Sequence, residues 1–225
     1  KHESLLTEIL ARSTTMPVHE IAEGMTVMPN NVYVIPPNSD LEIKEGKLGL
    51  HPRTFMRGQH MPVDVFLRSL AEDQKNKAIG VVLSGTASDG VLGMKAIKAE
   101  GGITFAQDEQ SARYGGMRRN AMTAGVVDFV LPPESIAREL ERVGRHPYLA
   151  SEQAALSETL PPETRGSLTR IFTVLHQAFG TDFSDYKDNT IRRRIKRRMV
   201  LHKLDDPESY LQYIHDNPNE VEALY

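Results

Sequence analysis

The sequence predicts an α/β protein, doubly wound on a parallel sheet, followed by a small all-α domain. Three observations lead there. Short apolar runs alternate with helix-period segments up to about residue 145, the pattern of strands joined by crossover helices. "AIGVVL" (78–83) is a continuous apolar run, the signature of a strand covered on both faces by helices. From Ser167 onward every segment keeps helical spacing and no strand signal returns.

In order along the chain, "HESLLTEILARS" puts Leu5, Leu6, Ile9 and Leu10 on one helix face. "MTVMPNNVYVIPPNSDLEIKEGKLGLHP" breaks short apolar runs with Pro, Asn and Gly, which reads as strands joined by tight turns. "PVDVFLRSLAEDQ" returns to helix, with Val63, Phe66, Leu67 and Leu70 as its stripe. After the 78–83 strand, "GVLGMKAIKAEGG" is a helix closed by a glycine pair. "ITFAQD" and "AGVVDFVLP" read as further strands, with the helix-like "RYGGMRRNAMT" between them. "PESIARELERVGRHP" is an amphipathic helix opened by Pro-Glu and closed at Gly144. The polar, Pro-containing stretch 146–166 reads as a linker or connecting helix. It separates a domain over 1–145 from one over 167–225.

Composition narrows the function classes. The 225 residues are 40% hydrophobic and 25% charged, as in ordinary globular proteins, and hold no apolar run of the ~18 residues a membrane span needs. No secretory-type leader opens the chain. The absence of cysteine excludes disulfides and thiolate metal sites and suits a cytoplasmic setting. Eight scattered histidines without a His-x-x-x-His pair suggest no metal site. A net charge of −3 gives no overall preference for polyanions. The chain opens on "KHESLL" without an initiator Met and stops at "NEVEALY" within a helical pattern. Both ends are therefore expected to continue into a longer polypeptide.

Two features carry chemistry. The first is Asp89, in the turn "SGTASDG" beyond the 78–83 strand, where open parallel sheets bind ligands. Asp89 or Ser88 also suits a helix N-cap, the commonest role for such residues. The turn lacks the G-x-x-x-x-G-K-[ST] pattern of a phosphate cradle. The second feature is "RRRIKRR" (192–198), six cations in seven residues. Ile191, Ile195 and Met199 form one stripe, and Arg193 and Arg197 lie about 200° from it on a helix. The basic face is either a solvated surface or a docking face for an anionic partner. Nucleic acid fits poorly, since no aromatic side chain interleaves the arginines. Residues 205–225 carry six Asp or Glu and no Lys or Arg, so part of this charge is expected to be neutralised internally.

"MPNNVYVIPPNSDLEI … PVDVFLRSLAED … AIGVVLSGTASDGVLGMKAIKAEGGITFAQDEQSARYGGMRRNAM" resembles the C-terminal two-thirds of the catalytic domain of the chemotaxis receptor methylesterase (CheB) family. The resemblance implies a Ser-His-Asp triad that hydrolyses glutamate methyl esters, with Asp89 as the triad acid. It also implies that the serine and histidine precede Lys1, so that this stretch alone is inactive as an esterase. His60, in "GQHMP", resembles the local sequence around the family's histidine. It runs straight into the helix before the Asp89 strand, which sets it down as a non-catalytic residue at a helix start. His2 and His19 are given no role.

"LTRIFTVLHQAFGTDFSDYKDNTIRRRIKRRMVLHKLDDPESYLQYIHDNPNEVEALY" is similar to the N-terminal helical domain of the chemotaxis receptor methyltransferase (CheR) family. That implies acidic receptor helices as partners of Arg194, Arg197 and Arg198. It also implies an S-adenosylmethionine-binding domain further along, and no cofactor for the residues present. Together the resemblances imply a bifunctional protein that adds and removes methyl esters on chemoreceptor-like partners, without nucleic acid and without membrane insertion. The alternative is a non-catalytic adaptor that docks acidic helices through its basic helix.

Overall fold

The computed structural model describes residues 5–53, 60–86, 88–146, 162–180 and 188–224. The chain divides into two compact units, Lys1–Pro132 and Pro133–Tyr225.

The first unit opens with helix α1 (Leu6–Ser13) and strand β1 (Val18–Glu20), which pairs in parallel with β3 (Val32–Val34). Strands β2 (Met25–Thr26), β4 (Ser39–Lys44) and β5 (Lys47–Pro52) make a separate antiparallel sheet in the order β2-β5-β4. Glu45 and Gly46, at φ 52° and 71°, form the two-residue turn between β4 and β5. Positive φ at both positions is what a tight hairpin requires. The expected tight-turned strands are thus present, but they lie outside the parallel sheet.

The parallel sheet is built from β6 (Ile79–Val82), β7 (Ile103–Gln107) and β8 (Phe129–Leu131), in that order. Helix α2 (Pro62–Gln74) precedes it, and α3 (Val91–Ala99) and α4 (Gly116–Thr123) are its crossovers. Leu67 and Ala71 of α2 pack with Val82, Met94 and Ile97 in one buried cluster. All five residues of β7 are buried, as expected of a central strand. β6 differs from its expectation, because Val81 remains 37% exposed. Gly80 and Val82, on the other face of the strand, are buried.

The second unit is helical: α5 (Pro133–Arg145), α6 (Pro162–Phe179), α7 (Asp188–His202), α8 (Pro207–Asp216) and α9 (Asn219–Leu224). The expected stripe Ile191, Ile195 and Met199 is buried against Leu168, Ile171 and Leu175 of α6, with Tyr210, Leu211 and Ile214 of α8. Asp206 caps α8 by accepting from the Ser209 amide at 2.8 Å. Arg142 of α5 donates to the carbonyl of Val200 at 2.8 Å, and His146 Nε2 lies 3.0 Å from that of Leu204. The Arg142 guanidinium thereby meets the carbonyl-rich end of α7. The linker expected over 146–166 lies mostly outside the described residues, and its last five residues begin α6.

Candidate active site and basic helix

Neither α2 nor α3 carries a side-chain cap of its own. The residues before them are Met61 and Gly90, and neither makes a side-chain cap hydrogen bond. The amides left unsatisfied are met by an exchange of carboxylates. Asp89, from the turn after β6, reaches across to α2. The Val63 amide donates to its Oδ2 and the Asp64 amide to its Oδ1, each at 2.9 Å. These are the second and third residues of α2, the donors that an N-cap side chain ordinarily satisfies. Asp64 returns the contact: its Oδ1 accepts from the Gly93 amide at 2.7 Å, in the first turn of α3. Asp89 is 8% exposed and Asp64 4%, with a helix N-terminus facing each. A buried carboxylate in such a setting gains amide hydrogen bonds and the positive end of a helix dipole.

The turn itself needs glycine. Gly90 has φ 95°, a left-handed conformation that brings Asp89 round against α2, and a Cβ there would lie 3.1 Å from Val63 Cγ1. The other side of the turn interlocks with the loop before α4. Gly85 donates its amide to the Tyr114 carbonyl, and its own carbonyl accepts from the Met117 amide, each at 3.1 Å. Ser84 Oγ accepts from the Tyr114 amide at 2.9 Å, while the Ser84 amide donates to Gln107 at the end of β7. The site therefore sits at the carboxyl ends of β6 and β7, where open parallel sheets place ligands.

A Cβ on Gly116 would stand 2.6 Å from the Thr86 carbonyl oxygen, which is backbone and cannot swing aside. Gly116→Ala is expected to destabilise the first unit by about 1–3 kcal/mol through overpacking. Gly144→Ala, with nothing within 4 Å of its added Cβ, is expected to be neutral or slightly stabilising. Thermal unfolding of the two variants checks the pair.

His60 lies just before α2, with Nε2 2.7 Å from Asp40 Oδ1 on β4, a hydrogen-bond contact across to the antiparallel sheet. It pairs with Asp40 there, as a residue at a helix start. His19 Nε2 is 2.8 Å from Asn31 Oδ1 and its ring stacks on Tyr33. His2 lies outside the described residues, as do Gly58 and Gln59 of "GQHMP" and residues 181–187 before the basic helix.

Within "RRRIKRR" the structure separates residues that the sequence groups together. Arg194 is exposed and Arg197 partly buried on α7. Arg198 turns inward: Nε donates to Glu220 Oε1 at 2.6 Å and Nη2 to Glu220 Oε2. The reason is its place on the helix, one residue before buried Met199 and three after buried Ile195, so its long side chain lies along the interior edge and meets α9. Tyr210, fully buried, donates its hydroxyl to Glu220 Oε1 at 2.7 Å. His202 Nε2 lies 2.9 Å from Arg198 Nη2 and 3.1 Å from Glu220 Oε2. Glu220 is one of the six acids over 205–225 expected to neutralise part of the basic charge, and its pairing with Arg198 fulfils that expectation. His202 and Asp64 did not stand out in the sequence. Asp64 is an acid in the first turn of a helix, a cue that names no partner.

This cluster sets the acid response of the helical unit. Burial pushes the Glu220 carboxyl up, but hydrogen bonds from Arg198 and Tyr210, with the Arg198 charge, hold it below its ordinary 4.5. Burial pushes His202 below its ordinary 6.5, the Arg198 charge adds to this, and Glu220 opposes it. In both cases the unfolded chain takes up the proton before the folded one, so stability falls as pH falls. The loss is expected to begin below 6.5 through His202 and to steepen below 4.5 through Glu220. Urea midpoints that hold above about pH 6.5, decline below it and fall more steeply below about pH 4.5 are the expected result.

Comparison with known proteins accounts for both halves. Residues 1–140 match the CheB methylesterase family, and residues 167–225 match the family described as CheR methyltransferase, all-alpha domain. A protein-glutamate methylesterase/protein-glutamine glutaminase 1 of Carboxydothermus hydrogenoformans is 37% identical over 141 residues, covering 60% of this chain and 42% of that protein. An uncharacterized 104.1 kDa protein in the hypE 3'region of Rhodobacter capsulatus is 32% identical over 237 residues, covering 97% of this chain and 25% of its own length. The chain thus spans a quarter to about two-fifths of the length of these relatives. The crystal structure of the Thermotoga maritima CheB methylesterase catalytic domain superposes with a TM-score of 0.54 at 30% identity, covering 60% of this chain and 74% of that one. Among the described residues no helix is long and apolar enough to cross a membrane. With an α/β unit that carries a buried aspartate beyond a parallel strand, and a helical unit after it, the chain belongs to the CheB methylesterase family and continues into a CheR-type all-alpha domain.

Proposed function

We propose that this chain is part of a bifunctional protein that removes and adds methyl esters on the glutamates of chemoreceptor-like partners in the cytoplasm. The observation that carries the esterase half is the Asp89 carboxylate, buried beyond β6 and gripped by two amides of α2. Each of its oxygens accepts one amide hydrogen, and a carboxylate has about four acceptor positions, so capacity remains for a ring N–H. In the proposed mechanism Asp89 accepts the Nδ1–H of a histidine and fixes its tautomer. The other ring nitrogen then takes the proton of a serine hydroxyl as its oxygen attacks the ester carbonyl. Methanol leaves with that proton, and water hydrolyses the acyl-enzyme by the same relay. The serine and histidine come from a preceding segment of the polypeptide, as the family resemblance implies.

For the methyltransferase half, the helical unit presents Arg194 and Arg197 to acidic receptor helices. Arginine suits the task, since its planar fork pairs with carboxylates. Arg198 instead holds the helix in place from within. S-adenosylmethionine belongs to a further domain and is not held by these residues. Each ester made or removed changes the receptor helix by one negative charge, which is how the modification is read.

The test is methanol release from a methylated receptor-derived peptide by the longer polypeptide carrying this chain. Turnover supports the enzyme. Binding of the peptide through α7 with no methanol release would favour the adaptor reading.

A further inference from the structure

We propose that Asp64 is a positioning residue for the esterase reaction, acting through Asp89; this rests on the reading of Asp89 as triad acid. The contacts close a ring. Asp89 leads through Gly90 into α3, whose Gly93 amide donates to Asp64 Oδ1. The Asp64 amide then donates to Asp89 Oδ1, and the Val63 amide beside it donates to Asp89 Oδ2. Each carboxylate caps the helix that carries, or follows, the other. The orientation of Asp89 is therefore set by where the N-terminus of α2 sits against α3, and Asp64 is the side chain that pins one to the other.

Packing makes the same point. A Cβ on Gly93 would stand 2.4 Å from Leu67 Cβ and 3.3 Å from Asp64 Cα, so the absence of a side chain at Gly93 lets α3 close directly onto Leu67 and the backbone of α2. The Gly93 amide's hydrogen bond to Asp64 Oδ1 adds a directional constraint to that contact. Asp64, 4% exposed, has no solvent-facing task to explain its charge. A triad acid must hold its partner's tautomer and ring orientation, and displacement by about 1 Å from a change outside the reacting groups can cost on the order of 100-fold in rate.

Two readouts test this. The first is amide hydrogen exchange at residues 63 and 64, measured by NMR on this chain. Asp64→Ala is expected to lower protection at both amides by about tenfold or more, because the Asp89 cap loosens. Asp64→Asn is expected to keep it, since its carbonyl oxygen still accepts from Gly93. The second readout is ester hydrolysis by the longer polypeptide. Asp64→Ala is expected to lower kcat by about 10- to 100-fold with KM nearly unchanged, Asp64→Asn to restore most of it, and Asp64→Ala to cost nothing further in an Asp89→Ala background. Unchanged protection in Asp64→Ala, or the same fold-loss with and without Asp89, would overturn the proposal. If Asp64→Ala does not fold, Asp64→Ser, with a shorter reach to Gly93, takes its place. If the unsubstituted polypeptide itself releases no methanol, the esterase reading fails, while the exchange data still decide whether Asp64 positions Asp89.

Discussion

Asp89→Ala is expected to lower ester hydrolysis by the longer polypeptide by about three to four orders of magnitude in kcat, with KM little changed. The magnitude follows from what a triad acid does. Without the carboxylate the histidine loses its fixed tautomer, and the imidazolium formed during attack loses its counter-charge. Substrate binding does not involve the group, so KM reports little. The same substitution leaves the Val63 and Asp64 amides of α2 without acceptors. A lost cap costs about 1–2 kcal/mol, so Asp89→Ala should also melt lower than the unsubstituted chain. The two effects separate by temperature: the kinetic loss persists where circular dichroism shows the variant fully folded, and the stability loss appears in the unfolding midpoint.

The second large effect belongs to the helical unit. Glu220→Ala is expected to destabilise it by about 3 kcal/mol, because removing one partner of a buried ion pair strands the other. Arg198 would keep its charge at the edge of the core, and the fully buried Tyr210 hydroxyl would lose its acceptor. Glu220→Gln retains an acceptor for Tyr210 but loses the charge, and should fall between the two. Arg194→Ala, at an exposed position on the same helix as Arg198, is expected to cost about 1 kcal/mol or less, the range of an exposed interaction. Urea unfolding of the three variants orders them. Equal midpoints for Glu220→Ala and Arg194→Ala would contradict the division of the basic run into an inward and an outward face.

What the sequence discloses, it discloses locally. Pro62 at the first position and the stripe Val63, Phe66, Leu67 and Leu70 predict α2 over 62–74, and the structure begins and ends it there. Ile191, Ile195 and Met199 likewise foretell the buried side of α7. The misses are matters of partnership across the chain. "AGVVDFVLP" suggests a strand of nine residues, yet only Phe129–Leu131 pair with β7. The Asp128 carboxylate bends back to the Thr104 amide and hydroxyl, which ends the ladder. The pattern around Asp89 suits a cap, and it is one, but for α2 rather than for the helix that follows it. No local cue says that a side chain will satisfy amides 25 and 26 residues earlier. Arg198 and Glu220 are 22 residues apart, and a run of like charges conceals which member turns inward. Helical period fixes the direction of each side chain, while its partner depends on where α9 returns.

The most direct test of the central claim, that Asp89 acts as an acid in ester hydrolysis as well as a cap, is the rate of methanol release by Asp89→Asn. An asparagine keeps a carbonyl oxygen for one of the two α2 amides and loses the acceptor for the other, so the variant should fold but melt somewhat lower than the unsubstituted protein. It carries no charge to stabilise an imidazolium, so kcat should fall by about 10³-fold or more. A folded Asp89→Asn variant that releases methanol at the unsubstituted rate would reduce Asp89 to a cap and contradict the account.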